Sequence, residues 1–435
     1  MSAYVEKVTA SYTSLNQQPQ NKKYVVEEPH DKFFLVHFLF LLFGLLHLMP
    51  ITFLITANNY WMHKFRNVSM DHHDAEYRAP LQSYFTSGTE VAQAVPTILC
   101  TLLATAYGHK FRVRSRIFVS LLVIAACYVL CTVFVKIDVD SWQIGFCALT
   151  MVELAVIQAM LALYQVTSLV LLAKFPGNYM KPFLFGEGIA GIFTSSLQII
   201  SLAIGGGPET SALIYFCTGT FLILLTLVIF KMVKYMDIYD YYVNLNKEDT
   251  KRKTHSFRES MKVAGSIWPC LVIFMTYVAT LAATHPAITS LVISENAGKG
   301  HVWNDKYFVP VVTFLFSDIC SLLGRVFATG FLTKRNGPFF VVLNFVRTAV
   351  LVPLVVLCHA TPRSHLPVVF NQDWQYIVIL ACLVFTNGFI QNVTFLSIGK
   401  LAPGKEEEAL LVLISFAAVA TGLSSPLGML IVRIL

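Results

Sequence analysis

Charge is scarce in this chain of 435 residues. Lys, Arg, Asp and Glu together make up 13% of it, against roughly a quarter of an ordinary soluble domain. A soluble fold of this length is excluded, because too few charged side chains are available to cover its surface. The nine cysteines contain no Cys-x-x-Cys pair and lie within or beside apolar runs, which argues against a disulfide framework and against a zinc site. They read as packing residues. Also missing are a phosphate-binding glycine loop, a nucleophile elbow and any His/Asp cluster of metal-ligand spacing, so the sequence offers no enzyme, metal or cofactor site. Residues 1–32 are polar and lack the apolar core of a cleavable signal. They read as a disordered cytoplasmic tail.

What the chain has instead is apolar length. Hydrophobic residues make up 56% of it and the mean hydropathy is +0.63, the composition of an all-α polytopic membrane protein. Runs of roughly 20 apolar residues recur, each long enough to cross a hydrocarbon core of about 30 Å as a helix. Their expected spans are 33–57, 83–107, 115–136, 142–173, 183–204, 211–234, 264–290, 307–332, 338–358, 374–399 and 408–432, eleven in all. Lys and Arg collect in alternate turns, among them Lys110, Arg112, Arg114 and Arg116, then Lys174 and Lys181, the segment 231–262, Lys334 with Arg335, and Lys400 with Lys405. That bias places the N-terminus in the cytoplasm and, with an odd number of spans, the C-terminus outside. The net charge of +7 is therefore a topology signal, and no nucleic-acid partner is implied.

The densest charge cluster, residues 246–255, divides the spans into six and five. We expect an N-terminal bundle over 33–234, a cytoplasmic loop over 235–262 with a Tyr-rich helical extension, and a C-terminal bundle over 263–435. This partition is one helix short of the two six-helix halves of major-facilitator carriers, which rock about a midplane site. The second long polar loop, 58–82, falls outside and carries the glycosylation triplet at Asn67, Val68 and Ser69. A second triplet beginning at Asn392 lies inside a span and should be silent.

One span carries charges that need a reason. Asp318, Ser321 and Arg325 recur at helical spacing in an apolar run, with Gly324 leaving room for a neighbouring helix or a ligand. An ionisable group at mid-bilayer costs about 2.5–3.5 kcal/mol on insertion scales, and such groups pair with one another or line a polar pathway. Both readings are open at this point: a solute site or an internal ion pair. Glu153, Glu187 and His47 are further ionisable groups near membrane depth.

Several ordered motifs resemble one family, the equilibrative nucleoside transporters. Phe175-Pro176-Gly177-Asn178-Tyr179 followed by Gly186-Glu187-Gly188-Ile189-Ala190-Gly191 is similar to the family's Pro-x-x-Tyr turn and its Gly-Gln-Gly-x-x-Gly helix, with Glu187 in place of Gln. Gly324-Arg325, the approach from Trp303 to Pro310, Pro286, the spacing of Arg347 and Pro353, and Asn387-Gly388 add further matches. The chain departs from the family at two places. The first-span Pro-Trp-Asn motif stands as Pro50-Ile51-Thr52, and the eighth-span carboxylate has moved from the fourth place of its motif to the first, at Asp318.

The resemblance implies facilitated diffusion of nucleosides such as adenosine or uridine across the bilayer, with the plasma membrane as the expected location. It also implies a substrate set. Arg325 and Asp318 would hold ribose and base edges, and Gln165, eleven residues before Pro176, would read the base. Leu48, Thr52 and Ser321 would line the cavity. The ordinary alternatives are helix packing for Leu48 and a helix–helix hydrogen bond for Gln165. A second functional reading is a proton-coupled or cation-selective carrier of nucleobases, nucleosides or organic cations, motivated by the displaced Asp318 and the extra Glu187.

Overall fold

The computed structural model describes residues 29–67, 80–245, 257–361, 363 and 365–435. Eleven of its helical segments are long and apolar enough to cross a membrane. They are α1 (Leu35–Thr56), α2 (Pro80–Tyr107), α3 (Val113–Lys136), α4 (Gln143–Leu172), α5 (Met180–Ile204), α6 (Pro208–Val233), α7 (Trp268–Thr284), α8 (Ser317–Phe327, entered through a π-helical stretch Val309–Phe316), α9 (Gly337–Val356), α10 (Asp373–Leu401) and α11 (Glu406–Ile434). The chain is an all-helical multi-pass membrane protein. The expected tail and the heart of the charged loop lie outside the described residues, whereas the Tyr-rich extension is a helix, Asp237–Leu245. Its Tyr239 and Tyr242 rings pack on Phe175, with centroids 6.0 and 5.2 Å apart.

Helix ends follow local chemistry. Pro208 opens α6, where its missing N–H costs nothing, and Glu209 sits in the same first turn near the positive end of the helix dipole. Gly205 ends α5 at φ 72°, a left-handed conformation that glycine adopts without strain. Asp373 opens α10 behind a capping box formed by Gln372 and Gln375.

One span is shorter than expected, and another changes conformation before its end. The seventh span reaches Leu291, close to the expected 290, but its regular helix α7 ends at Thr284, where Pro286 has no N–H to continue the ladder, and turns complete it. The eighth was expected to reach 332, yet α8 stops at Phe327. The chain then runs alongside α10, where Gly330 lies against the carbonyl of Leu396 and the Leu332 amide donates to Ser397 Oγ at 3.2 Å. Pro50 leaves α1 continuous, and the Tyr128 hydroxyl donates to the Pro50 carbonyl.

Close backbone contact sets the packing. Gly44 of α1 lies against the Phe183 carbonyl of α5, and Gly186 of α5 against the Leu41 carbonyl of α1, so a methyl group at either position would collide with backbone. The same reciprocal arrangement joins α8 to α10, through Gly324 against Phe385 and Gly388 against Ser321. Small residues of this kind let apolar helices associate where lipid gives no hydrophobic drive. Between the first six and the last five helices, α5 packs on α8, and α2 and α4 pack on α11. The α2/α4/α11 contact is an apolar cluster of Ala104, Val166, Val170 and Leu411. It lies near the end of the bundle where the basic turns 108–116 and 400–405 gather, hereafter the basic end.

Replacing Gly186 by Ala is expected to cost about 1–3 kcal/mol through overpacking against α1. Gly399→Ala, which meets open space, should cost nothing. Thermal unfolding of the purified protein in detergent reads the difference.

Candidate functional site

The polar centre is assembled from α1 outward. Three of its carbonyls are bonded by the neighbouring bundle helices: Phe43 by the Tyr164 hydroxyl at 2.8 Å, His47 by Gln165 Nε2 at 2.7 Å, and Pro50 by Tyr128. Thr52 Oγ1 donates to the Met49 carbonyl at 2.9 Å and lies 3.1 Å from Thr194 Oγ1 on α5. These bonds fix the α1 backbone, and with it the ring of His47.

His47 Nδ1 contacts Glu187 Oε1 on α5. The other carboxylate oxygen accepts from Arg325 Nη1 of α8 at 3.1 Å and from Gln391 Nε2 of α10 at 3.2 Å. Arg325 Nη2 donates to Gln391 Oε1 at 2.6 Å, and the Tyr277 hydroxyl of α7 donates to the same oxygen at 2.9 Å. Five helices therefore meet in one hydrogen-bonded cluster, and the Glu187–Arg325 pair joins the first six helices to the last five. Glu187 is 3% exposed and Arg325 7%. Burying both charges is sustained because each has an opposite charge and further hydrogen-bonding partners; removing one would leave an uncompensated ion, at about 3–5 kcal/mol. Gly188 makes the approach possible, since a Cβ there would stand 3.0 Å from Arg325 Cδ.

Asp318 occupies a second position on the same interface. Its Oδ2 accepts from Ser195 at 2.6 Å, and its carboxylate fills the space left by the missing side chain of Gly191. The expected shared face of α8 is thus split. Seven residues turn a helix by 700°, so Asp318 and Arg325 both address α5, while Ser321 is rotated about 60° away and faces Gly388 of α10. Gly324 makes room for a helix, α10.

Other expected residues fall as follows. Gln165 holds the His47 carbonyl, and Leu48 is half-buried against the main core. Glu187 is a buried bonding partner and not a solvated group. Arg347 bonds Thr386 Oγ1 at 2.7 Å, the Leu383 carbonyl at 3.3 Å and Asn387, which ties α9 to α10. Asn67 is exposed, and the rest of its triplet lies outside the described residues. Asn392 is buried and donates to the Arg325 carbonyl at 3.1 Å. Among the described residues no group of three His, Cys, Asp or Glu side chains could hold a metal.

Sequence reasoning missed Gln391, Tyr277 and the partnership of His47 with Glu187. A signal existed for the first: Asn387 and Gln391 stand four residues apart on one apolar helix, a polar stripe facing the bundle. Two polar atoms of this centre, His47 Nε2 and Arg325 Nε, are buried without a hydrogen-bond partner among the described residues. Buried orphans of this kind mark places where a ligand or water completes the set.

A family model described as nucleoside transporter matches residues 151–431, well over half of the sequence. The chain belongs to the nucleoside transporter family. It is 26% identical to equilibrative nucleoside transporter 3 of Rattus norvegicus over 90% of this chain and 87% of that protein. It is also 26% identical to equilibrative nucleoside transporter 1 of Homo sapiens (92% and 97% covered), and 27% identical to equilibrative nucleoside transporter 2 of Homo sapiens (93% and 98%). Among solved structures it is similar in fold to the fucose:proton symporter of E. coli, with TM-score 0.50, 16% identity and 93% of this chain and 91% of that chain covered. The major facilitator superfamily proton:xylose symporter gives TM-score 0.53, 12% identity and coverage of 90% and 87%. This family member thus shares its overall fold with those two symporters.

Glu187→Leu and Arg325→Met are each expected to lower the stability of the purified transporter by about 3–5 kcal/mol, and the double variant by much less than their sum. A double-mutant cycle on thermal or denaturant unfolding checks the coupling.

Proposed function

We propose that this protein carries nucleosides down their gradient by alternating access, the bundle over 33–234 rocking against that over 263–435. Family membership and near full-length similarity to relatives named as equilibrative nucleoside transporters support the substrate class. The observation that carries the mechanism is the buried Glu187–Arg325 pair between the two sets of helices, placed toward the basic end. Glu187 lies seven residues into α5 from that end, and Arg325 two residues from the end of α8. A bond in that position acts as a gate. It holds the basic end shut while the site faces the opposite side, and releases when the bundles rock.

A nucleoside has a flat base, hydroxyls that donate and accept, and no net charge, so its site needs apolar walls with a few fixed polar groups. Asp318 supplies an acceptor for ribose hydroxyls, the open Nε of Arg325 donates to oxygen, and the open Nε2 of His47 adds a polar contact. The oxygen of the Gln165 amide is directed by the bond its nitrogen makes to His47, and it offers an acceptor to the base edge. Leu48 and Thr52 form the wall on α1, and Ser321, turned toward α10, is the outlying member. The basic end faces the cytoplasm in this reading, the plasma membrane is the location, and Asn67 is glycosylated on the outer side. No catalytic step is required.

The His47–Glu187 contact favours a second reading, proton-coupled or cation-selective transport, because a titratable imidazole faces the gating carboxylate. Uptake of labelled adenosine and uridine, in cells lacking their own carriers, separates the two. Saturable uptake at both about pH 5.5 and about pH 7.5, ending at equal concentrations inside and out, is the expected result; accumulation above the external concentration only at acid pH would establish coupling. Arg325→Ala is expected to abolish uptake with surface expression retained.

A further inference from the structure

Away from the central cluster, at the basic end, the structure contains a cavity of about 930 Å³ between the two sets of helices. One wall is the α2–α3 turn with the start of α3, a second is the end of α4, and a third is the Asp237–Leu245 helix. The wall across from them belongs to the last five helices, at Gly404 and the first turns of α11. Seven cationic side chains line it, among them Lys110, Arg112 and Lys234, against four carboxylates.

Of these seven cations Arg116 alone is buried. Arg114 is bonded to Asp240 at 2.8 Å and lies over the Tyr239 ring. Glu406 accepts from the Gly404 amide at 2.9 Å, and Lys174 and Glu408 each have a partner. The Arg116 guanidinium makes no hydrogen bond or direct ion pair among the described residues, and Glu407 acts on it only through space. It is 8% exposed, its Nε is a buried orphan, and its Nη1 lies against Gly108, where any larger residue would displace it. A guanidinium that is nine-tenths buried with no directly bonded counter-charge is unfavourable, and proteins keep such groups paired. Glu407 lines the same cavity and is the opposing charge that Arg116 senses, without a direct bond to it.

We propose that Arg116 is the anchor of a phosphate-class anion site, occupied by the phosphoryl group of a soluble phosphate or nucleotide, or by an anionic phospholipid headgroup. A guanidinium offers phosphate a planar fork of donors, with Lys110, Arg112 and Lys234 as point charges around it. The cavity is large enough for a nucleotide. Because the walls come from both sets of helices, an occupant links them and stabilises the form closed at the basic end, so it slows opening on that side.

The test uses the full-length protein in nanodiscs. In phosphatidylcholine discs, inorganic phosphate or adenosine monophosphate is added, with chloride at equal ionic strength as the control. In a separate arm the discs contain a phosphoinositide and no free phosphate. We expect at least one arm to raise the melting midpoint by about 2–4 °C at saturation, and the arm that responds names the source. Arg116→Met is expected to remove that shift while raising the midpoint of the unliganded protein, since a buried unpaired charge is gone. Arg116→Lys should keep part of the shift, and Arg335→Met, which deletes an exposed charge at the same end, all of it. A shift that survives in Arg116→Met, a chloride effect equal to that of phosphate, or no shift in either arm would each overturn the proposal. So would a loss of stability in Glu407→Gln equal to that in Arg116→Met, which would make Glu407 a sufficient counter-charge.

Discussion

The buried ion pair between Glu187 and Arg325 is the interaction on which the remaining architecture depends. A carboxylate and a guanidinium removed from water would each be unfavourable alone, and they are retained because they meet across the interface of the two bundles. Every nearby feature serves that meeting. Gly188 clears the approach, and Gln391 bonds both partners at once. Tyr277 and Gln165 fix the orientation of Gln391 and the α1 backbone. The glycine contacts of α1 with α5 and of α8 with α10 bring the four helices close enough for these short side-chain bonds.

An ion pair suits a gate better than an apolar contact would. Apolar surfaces in a bilayer gain little from separation or closure, because lipid is as apolar as the helices. A charged pair is strong when dry and replaceable when water or a polar solute reaches it. The second polar position, Asp318 with Ser195, shares this interface, and both α8 positions address α5. In the proposed mechanism, substrate contact and closure of the basic end would therefore fall on the same pair of helices. The apolar α2/α4/α11 cluster closes the neighbouring part of the interface without charges.

The spans were legible because twenty apolar residues in a row leave only one structure in a bilayer. The eighth fell short where the chain stops being helical for a non-hydropathic reason, the contact of Gly330 with α10 beyond α8. Asp318 and Arg325 were legible as charges at membrane depth. Their partners were not, because pairing depends on which helices pack, and one sequence does not contain that contact. Ser321 illustrates the same limit at smaller scale, since 60° of rotation moves it from α5 to α10. Gln391 escaped because an amide in an apolar run is far less conspicuous than a charge, although it completes the cluster. Glu187 was noticed as an ionisable group near membrane depth and as a departure from the family's Gly-Gln-Gly pattern, and the structure makes it the counter-charge of Arg325.

The central claim is that the Glu187–Arg325 pair holds the two bundles together at the basic end. Spin labels at exposed Phe111 and Lys400, in an otherwise cysteine-free protein, report the separation of the bundles there by pulsed electron paramagnetic resonance. The account predicts one short distance in the parent protein. It also predicts a shift of population to longer distances in both Glu187→Leu and Arg325→Met. Distance distributions unchanged by either substitution, in protein that remains folded, would contradict it.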